Sequence, residues 1–347
     1  MAIELCSLRA ELRSAGVFEY REARSWGKLG LMAAGLAACL VGIATWGIVA
    51  ALVLVPVAGV LCTSISMCGH EGSHRSFSGS PRRNAILLHL AFPMFCGLGT
   101  LYWHNKHDRL HHGHPNVEGM DPDTRPFPFT SSLGDHQRCS RGERWFQRNF
   151  QRYAFWPMSL LMTAGMRRSS IAYLGTYART QGVDRAWFVE IACMVVHYTC
   201  WIVIPAIVWG PVTSLLVYAA IWSVVGICLA LVFAPAHLGL PIVNDQHRDW
   251  LHQLETTRNL ELPRVVSMFF IGLDYQVEHH LFPKIPHMNL PKAAAITRAW
   301  CARAQVPYLS EPYAHALGDA ARFIRDAWGR EAISPVDMRE AIRATIG

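Results

Sequence analysis

The sequence predicts an all-α integral membrane protein with four transmembrane helices in two hairpins and a cytoplasmic helical cap. Three observations predict it. The 347 residues are 52% hydrophobic and only 16% charged, too apolar for an ordinary soluble domain. The apolar residues are concentrated in two runs, each about twice the roughly twenty residues that one span needs. Histidines gather where those runs give way to polar sequence.

Residues 1–28 carry Glu4, Arg9, Glu11, Arg13, Glu19, Arg21, Glu22 and Arg24. This polar lead lacks the short basic and then apolar order of a cleavable signal peptide and reads as a cytoplasmic amphipathic segment. The membrane domain follows over residues 29–308. Leu29 to Cys68 is almost unbroken apolar sequence, a helical hairpin with its turn near Ala50. A second hairpin covers Ala186–Trp209 and Val212–His237, with Gly210-Pro211 between them. Neither turn contains Lys or Arg, whereas the first segment and the loop from Arg75 to Arg185 are rich in Arg. The positive-inside rule therefore places both termini and the long loop in the cytoplasm. Lysine is confined to Lys28, Lys106, Lys284 and Lys292. That bias toward arginine suggests a GC-rich genome, and hence a bacterial inner membrane.

Two shorter apolar stretches are expected to be re-entrant or to lie on the surface. Ala85–Trp103 is interrupted by Pro93, Gly97 and Gly99, and if it crossed it would separate residues 70–74 from 104–116. Residues 154–166 are too short to span. Asn289-Leu290-Pro291 introduces a helix over Lys292–Ala304, and Ser334-Pro335 opens another within a helical tail, residues 309–347. The ten cysteines show no C-x-x-C spacing and most lie in apolar runs, so no disulfide framework is expected.

The stretch from Trp103 to Asn116 holds five histidines: His104, His107, His111, His112 and His114. Neutral imidazole is the commonest metal ligand. His70 and His74 follow the second span at i, i+4 spacing, which places both on one helix face. On an α-helix His107 and His111 share a face and His112 lies about 100° away, so adjacent histidines suit two metals better than one. His279 and His280 form another adjacent pair, and His237 ends the fourth span. In the predicted topology all of them meet at the cytoplasmic face. Eight imidazoles exceed the three or four that one zinc takes. Ligand type does not choose among iron, copper, zinc and nickel. Glu71, Asp108 and Glu278, within these motifs, suit the carboxylates that orient ligating imidazoles; salt bridges to Arg75 or Arg109 are the alternative. His89, His136, His197, His247, His252, His287 and His315 read as interfacial, core or solvent residues, with His197 hydrogen-bonded between spans.

The pattern H-x-x-x-H, H-x-x-x-HH and Q-x-x-HH resembles the membrane fatty acid desaturase family. Gln276-Val277-Glu278-His279-His280-Leu281-Phe282-Pro283 is most similar to its front-end acyl desaturase branch. The likeness extends through Pro115-Asn116, Asp121-Pro122-Asp123, Gln253–Asn259 and Phe282–Leu290, over roughly residues 30 to 308. It implies a non-haem di-iron centre that uses dioxygen to introduce a double bond into a fatty acyl chain. By position the ligands would be His70, His74, His107, His111, His112, His279 and His280, with His237 as the additional family histidine. Gln276 stands where other branches have histidine and would bind weakly, through water, or not at all. No haem domain of the kind fused to many front-end members is expected within these 347 residues. A ferredoxin or small cytochrome with its reductase is therefore the expected electron donor. The acyl substrate would be linked to lipid, CoA or a carrier protein.

Trp46, Trp187, Trp201, Trp209 and Trp222 are expected mostly as interface anchors or packing, and Trp250 as the better candidate for an acyl channel. Arg138, Arg141, Arg144, Arg148, Arg152, Arg167 and Arg168 form an expected basic face for anionic headgroups, at about 1 kcal/mol each, and for an acidic electron carrier or a phosphate-bearing acyl carrier. A hydroxylase or acetylenase of the same family and, from another class, a membrane zinc hydrolase with one metal-bound water are the competing readings.

Overall fold

The computed structural model describes residues 2–244 and 250–346; His247 lies outside them. Among the described residues four helices are long and apolar enough to cross a membrane: Glu22–Gly47, Val49–His74, Arg185–Trp209 and Pro211–His237. The first hairpin turns at Gly47, with φ 70° and ψ −152°, earlier than the expected turn near Ala50. Only glycine enters that region of backbone space without strain. The second hairpin turns at Gly210 (φ 79°, ψ 157°), directly before Pro211.

The second and fourth spans pack closely enough that a Cβ on Gly59 would stand 2.4 Å from Val224. Around this approach Cys62, Ile65, Ile221, Trp222, Val225 and Leu229 form a continuous apolar core. Both spans run in the same direction, so His74 and His237 finish at one edge.

Pro81–Cys96 and Thr100–His111 meet at a bend of 108°. The pair is apolar enough to count as a broken fifth span, but its two ends lie at one edge. Arg83 at its start pairs with Glu22 at the head of the first span at 2.5 Å. His107 near its other end reaches His70 at 2.9 Å. It is therefore a re-entrant hairpin. Residues 154–166 divide between helices Gln151–Ser159 and Met162–Thr180. Exposed Trp145, Tyr153 and Leu161 lie nearby.

Leu8 and Leu12 of the first helix, Ala2–Ser14, pack with Val277, Phe282, Leu290 and Trp300 in a separate core. Trp250 stacks edge-on against Trp300, with ring centroids 5.7 Å apart, and so belongs to this cap. The ten cysteines are free.

Arg258 fastens the C-terminal helix Tyr313–Asp326 to the end of the fourth span. It is 1% exposed, donates to Pro235 O at 2.6 Å and Leu238 O at 2.7 Å, and pairs with Glu311 at 3.1 Å and Asp319 at 3.3 Å. Removing the guanidinium takes the donor from the Pro235 and Leu238 carbonyls, at about 1–3 kcal/mol for each buried group left unsatisfied. Arg258→Ala should therefore lower the detergent melting temperature sharply, whereas Arg303→Ala, which breaks an exposed pair with Glu11, should barely move it.

Candidate metal centre

Eight histidines converge where the second span, the fourth span, the re-entrant hairpin and the short helix Gln276–Leu281 meet. They form two groups. Nitrogens of His70, His74, His107, His112 and His279 lie within 4.8 Å of one another, as do those of His111, His237 and His280. Each adjacent pair is divided between the groups, as alternating directions on a helix require.

The grouping within His104–His111 differs from the expected one. That segment is wound as a π-helix, and its i to i+5 pattern continues in a bond from His112 N to His107 O at 3.0 Å. Residues five apart therefore share a face: His107 and His112 bring their Nε2 atoms within 3.1 Å. His111 points instead toward His237 and His280, with ring centroids 4.9 and 5.1 Å away. π-Bulges are frequent at functional sites, and nothing in the composition of this stretch announces one.

In the smaller group each ring is anchored from behind. His111 donates Nδ1–H to Asp121, with both oxygens at 3.1 Å. His237 donates to Thr256 O at 3.2 Å, and His280 to Gln253 Oε1 at 3.0 Å. All three Nε2 lone pairs are left for the centre. The Nε2 atoms of His237 and His280 are buried without a hydrogen-bond partner, as are those of His74 and His279. In the larger group His107 Nε2 faces both His70 Nε2, at 2.9 Å, and His112 Nε2. One ring nitrogen carries a single proton or a single lone pair, so it cannot serve two such bonds. A cation between the rings satisfies all of them, and an all-imidazole donor set suits a transition metal.

Burial lowers the pKa values of His107, His112, His279 and His280 well below the ordinary imidazole range, and neighbouring imidazoles add to the effect. These rings are neutral, the form that binds metal. At His111 burial acts in the same direction, but the charge and hydrogen bond of Asp121 outweigh it and raise the pKa.

The anchoring groups are largely not those expected. Glu71 accepts from His287, at 2.7 Å from Nδ1 and 3.0 Å from the backbone N–H, and so ties the first histidine box (His70 and His74) to the segment after the third (Gln276 to His280). Asp108 holds His104 at 2.5 Å and stands 3.7 Å from His74 Nε2. Gln276 donates to Leu273 O at 2.7 Å. Glu278 accepts from Asn259 and from Tyr308 at 2.8 and 2.9 Å, and burial lifts its pKa to about 7. Asn259 also accepts from Val277 N. It fixes the third box to a two-stranded parallel ladder, Asn259–Glu261 with Ser310–Pro312. Asp121, Gln253 and Thr256 are the groups that sequence reasoning left without a role. Their one signal is position within segments flanking the boxes.

His104 and His114 fall outside both groups; His114 bonds Leu110 O at 3.1 Å. Arg167 is not on the basic face. It is 6% exposed and lies over Trp222, 4.1 Å from the ring centroid.

Residues 44–312 match the family model for fatty acid desaturases. The chain is 26% identical over 288 residues to the fatty acid desaturase 2-like protein of Mus musculus, covering 79% of this chain and 56% of that protein. To the acyl-lipid (8-3)-desaturase of Thraustochytrium sp it is 28% identical over 279 residues, covering 75% and 60%. To fatty acid desaturase 3 of Bos taurus it is 26% identical over 261 residues, covering 74% and 57%. The chain thus matches a little over half the length of these relatives. A family model matched over most of the sequence, on a helical fold that collects the three histidine motifs at one membrane edge, makes this chain a member of the fatty acid desaturase family.

Proposed function

We propose that the protein is an oxygen-dependent di-iron desaturase that introduces a carbon-carbon double bond into a fatty acyl chain. The observation that carries this reading is the division of eight imidazoles, seven of them buried and His112 half-buried, into two adjacent groups in which the Nε2 atoms of His74, His237, His279 and His280 have no hydrogen-bond partner. His70, His74, His107, His112 and His279 would hold one ion, and His111, His237 and His280 the other. Two irons there would supply dioxygen activation and the removal of two hydrogens from an unactivated position.

The chain's own contribution is geometric. Asp121, Gln253 and the Thr256 carbonyl fix the tautomer and tilt of three rings. Trp103 stacks on His107 at 4.2 Å and meets Phe92 edge-to-face at 4.9 Å, forming an apolar wall beside the larger group. Electrons come from a separate ferredoxin or small cytochrome with its reductase. The docking face would include Arg141, Arg148 and Arg152, which are exposed. The acyl chain arrives attached to lipid, CoA or a carrier protein, at the cytoplasmic side of a bacterial inner membrane.

Lipid profiling of cells expressing the chain, against cells expressing His111→Ala, tests the reaction. The expected result is an acyl species two hydrogens lighter that is present only with the intact histidine. An added oxygen at the same position would indicate the hydroxylase branch. No histidine-dependent lipid change would sink the reading. A zinc hydrolase would contain one metal and work without oxygen, whereas two irons per chain and strict oxygen dependence are expected here.

A further inference from the structure

The bend in the re-entrant hairpin interrupts helical backbone at Gly97–Gly99, between Leu90–Cys96 and Thr100–Trp103. Such a break strands carbonyls on one side and N–H groups on the other. At membrane depth it is tolerated only where protein satisfies those groups. Five of them find side-chain partners on two other helices. His197 donates Nδ1–H to Phe95 O at 2.8 Å, while its Nε2 accepts from Tyr218 at 2.8 Å. Arg167 donates Nε–H to Cys96 O at 2.8 Å. Ser170 accepts from Gly99 N at 2.8 Å. Glu190 accepts from Thr100 N, and from Thr100 Oγ1 and Leu101 N at 2.9 and 3.1 Å.

The fit leaves no slack. A Cβ on Gly97 would lie 2.7 Å from His197, and one on Gly99 would lie 2.4 Å from Ser170 Oγ and 2.7 Å from Glu190. Ionisable groups inside spans are costly and signal function by default, yet neither Glu190 nor His197 is in either histidine group. What they hold is the segment leading directly into His104–His111.

We infer that Glu190, Arg167, His197 and Ser170 form an intramembrane clamp on this break, and that they are positioning residues for the second histidine box. The role in metal binding rests on the desaturase reading above; the clamp on the backbone does not. With Glu190 in place, Thr100 and Leu101 start the helix at a fixed depth and rotation, so His107 and His112 meet His70 while His111 meets His280. Without it two N–H groups and a hydroxyl lose their acceptor. The box can then slide or rotate by a fraction of a turn, enough to separate the groups.

The experiment uses the full chain in detergent, with Glu190→Ala, Glu190→Gln and Gly99→Ala beside wild type. Cys96, buried beside the break, is the local probe, and buried Cys301 in the cap is the control. N-ethylmaleimide labelling is read at each cysteine by peptide mass spectrometry, and bound metal is measured per folded chain. In Glu190→Ala, Cys96 labelling should rise about tenfold or more, as expected for buried donors left unsatisfied, with Cys301 unchanged and most of the metal lost. Glu190→Gln, which keeps one acceptor oxygen, should recover part of both. Gly99→Ala should reproduce the loss without removing a charge, and it serves if Glu190→Ala does not fold. Unchanged Cys96 labelling overturns the clamp, and labelling that rises while metal is retained overturns its positioning role. A wild-type chain without metal would overturn the proposed function instead, since the thiol measurement judges the clamp alone.

Discussion

Alanine at His74, His111 or His280 should abolish turnover in a protein that still inserts and folds, but the three variants should not lose metal equally. The larger group keeps four imidazoles after His74→Ala, still within the three or four protein ligands typical of a closed metal site. The smaller group keeps two after His280→Ala or His111→Ala, too few. Metal analysis of purified variants should therefore show near-full content for His74→Ala and roughly half for the other two, with desaturation undetectable in all three. Turnover retained in two of them would dismiss the assignment. Equal metal loss in all three would mean that the ions share ligands across the two groups.

The second large effect belongs to a residue that binds no metal in this assignment. Asp121 is 3% exposed and is acceptor-only. Besides His111 it receives Asn116 N and Asp123 N, each at 2.9 Å. In Asp121→Asn one carboxylate oxygen becomes an NH2 donor, which then faces the Asn116 or the Asp123 backbone N–H and, in either orientation, the His111 N–H as well. Whichever way the amide turns, these contacts become repulsive. Loss of a group that orients a ligating imidazole typically reduces affinity or activity by about 10–100-fold. Turnover should fall by that factor. The metal dissociation rate should rise for one ion only, the one held by His111, as measured by chelator competition. An unchanged rate would remove Asp121 from the site.

The hairpins were legible because forty-odd apolar residues admit no other arrangement in a bilayer. The turn at Gly47 was displaced from expectation because a uniformly apolar run offers only the backbone freedom of glycine as a marker. The convergence of His70, His74, His107, His111, His112, His237, His279 and His280 could be read from topology, since span ends on one side must be neighbours. The partition among them could not, because it depends on a π-helical winding whose origin lies in tertiary packing. Carboxylates adjacent to the boxes looked like natural supports, but Glu71 and Glu278 brace the cap, and the supporting role falls to Asp121 from a loop. Arg167 carried the wrong expectation because its neighbours in sequence are surface arginines. Its neighbours in space are Trp222 and the Cys96 carbonyl.

The smaller histidine group draws its members from His111, His237 and His280, each from a different part of the chain, with His280 the last to be made. During synthesis neither hairpin can complete that pocket by itself, because its third ligand has yet to leave the ribosome. A nascent chain that has not yet emerged through His280 therefore lacks the third imidazole of this group. Order of manufacture thus acts as an interlock: the smaller histidine group can close only after His280 has been made.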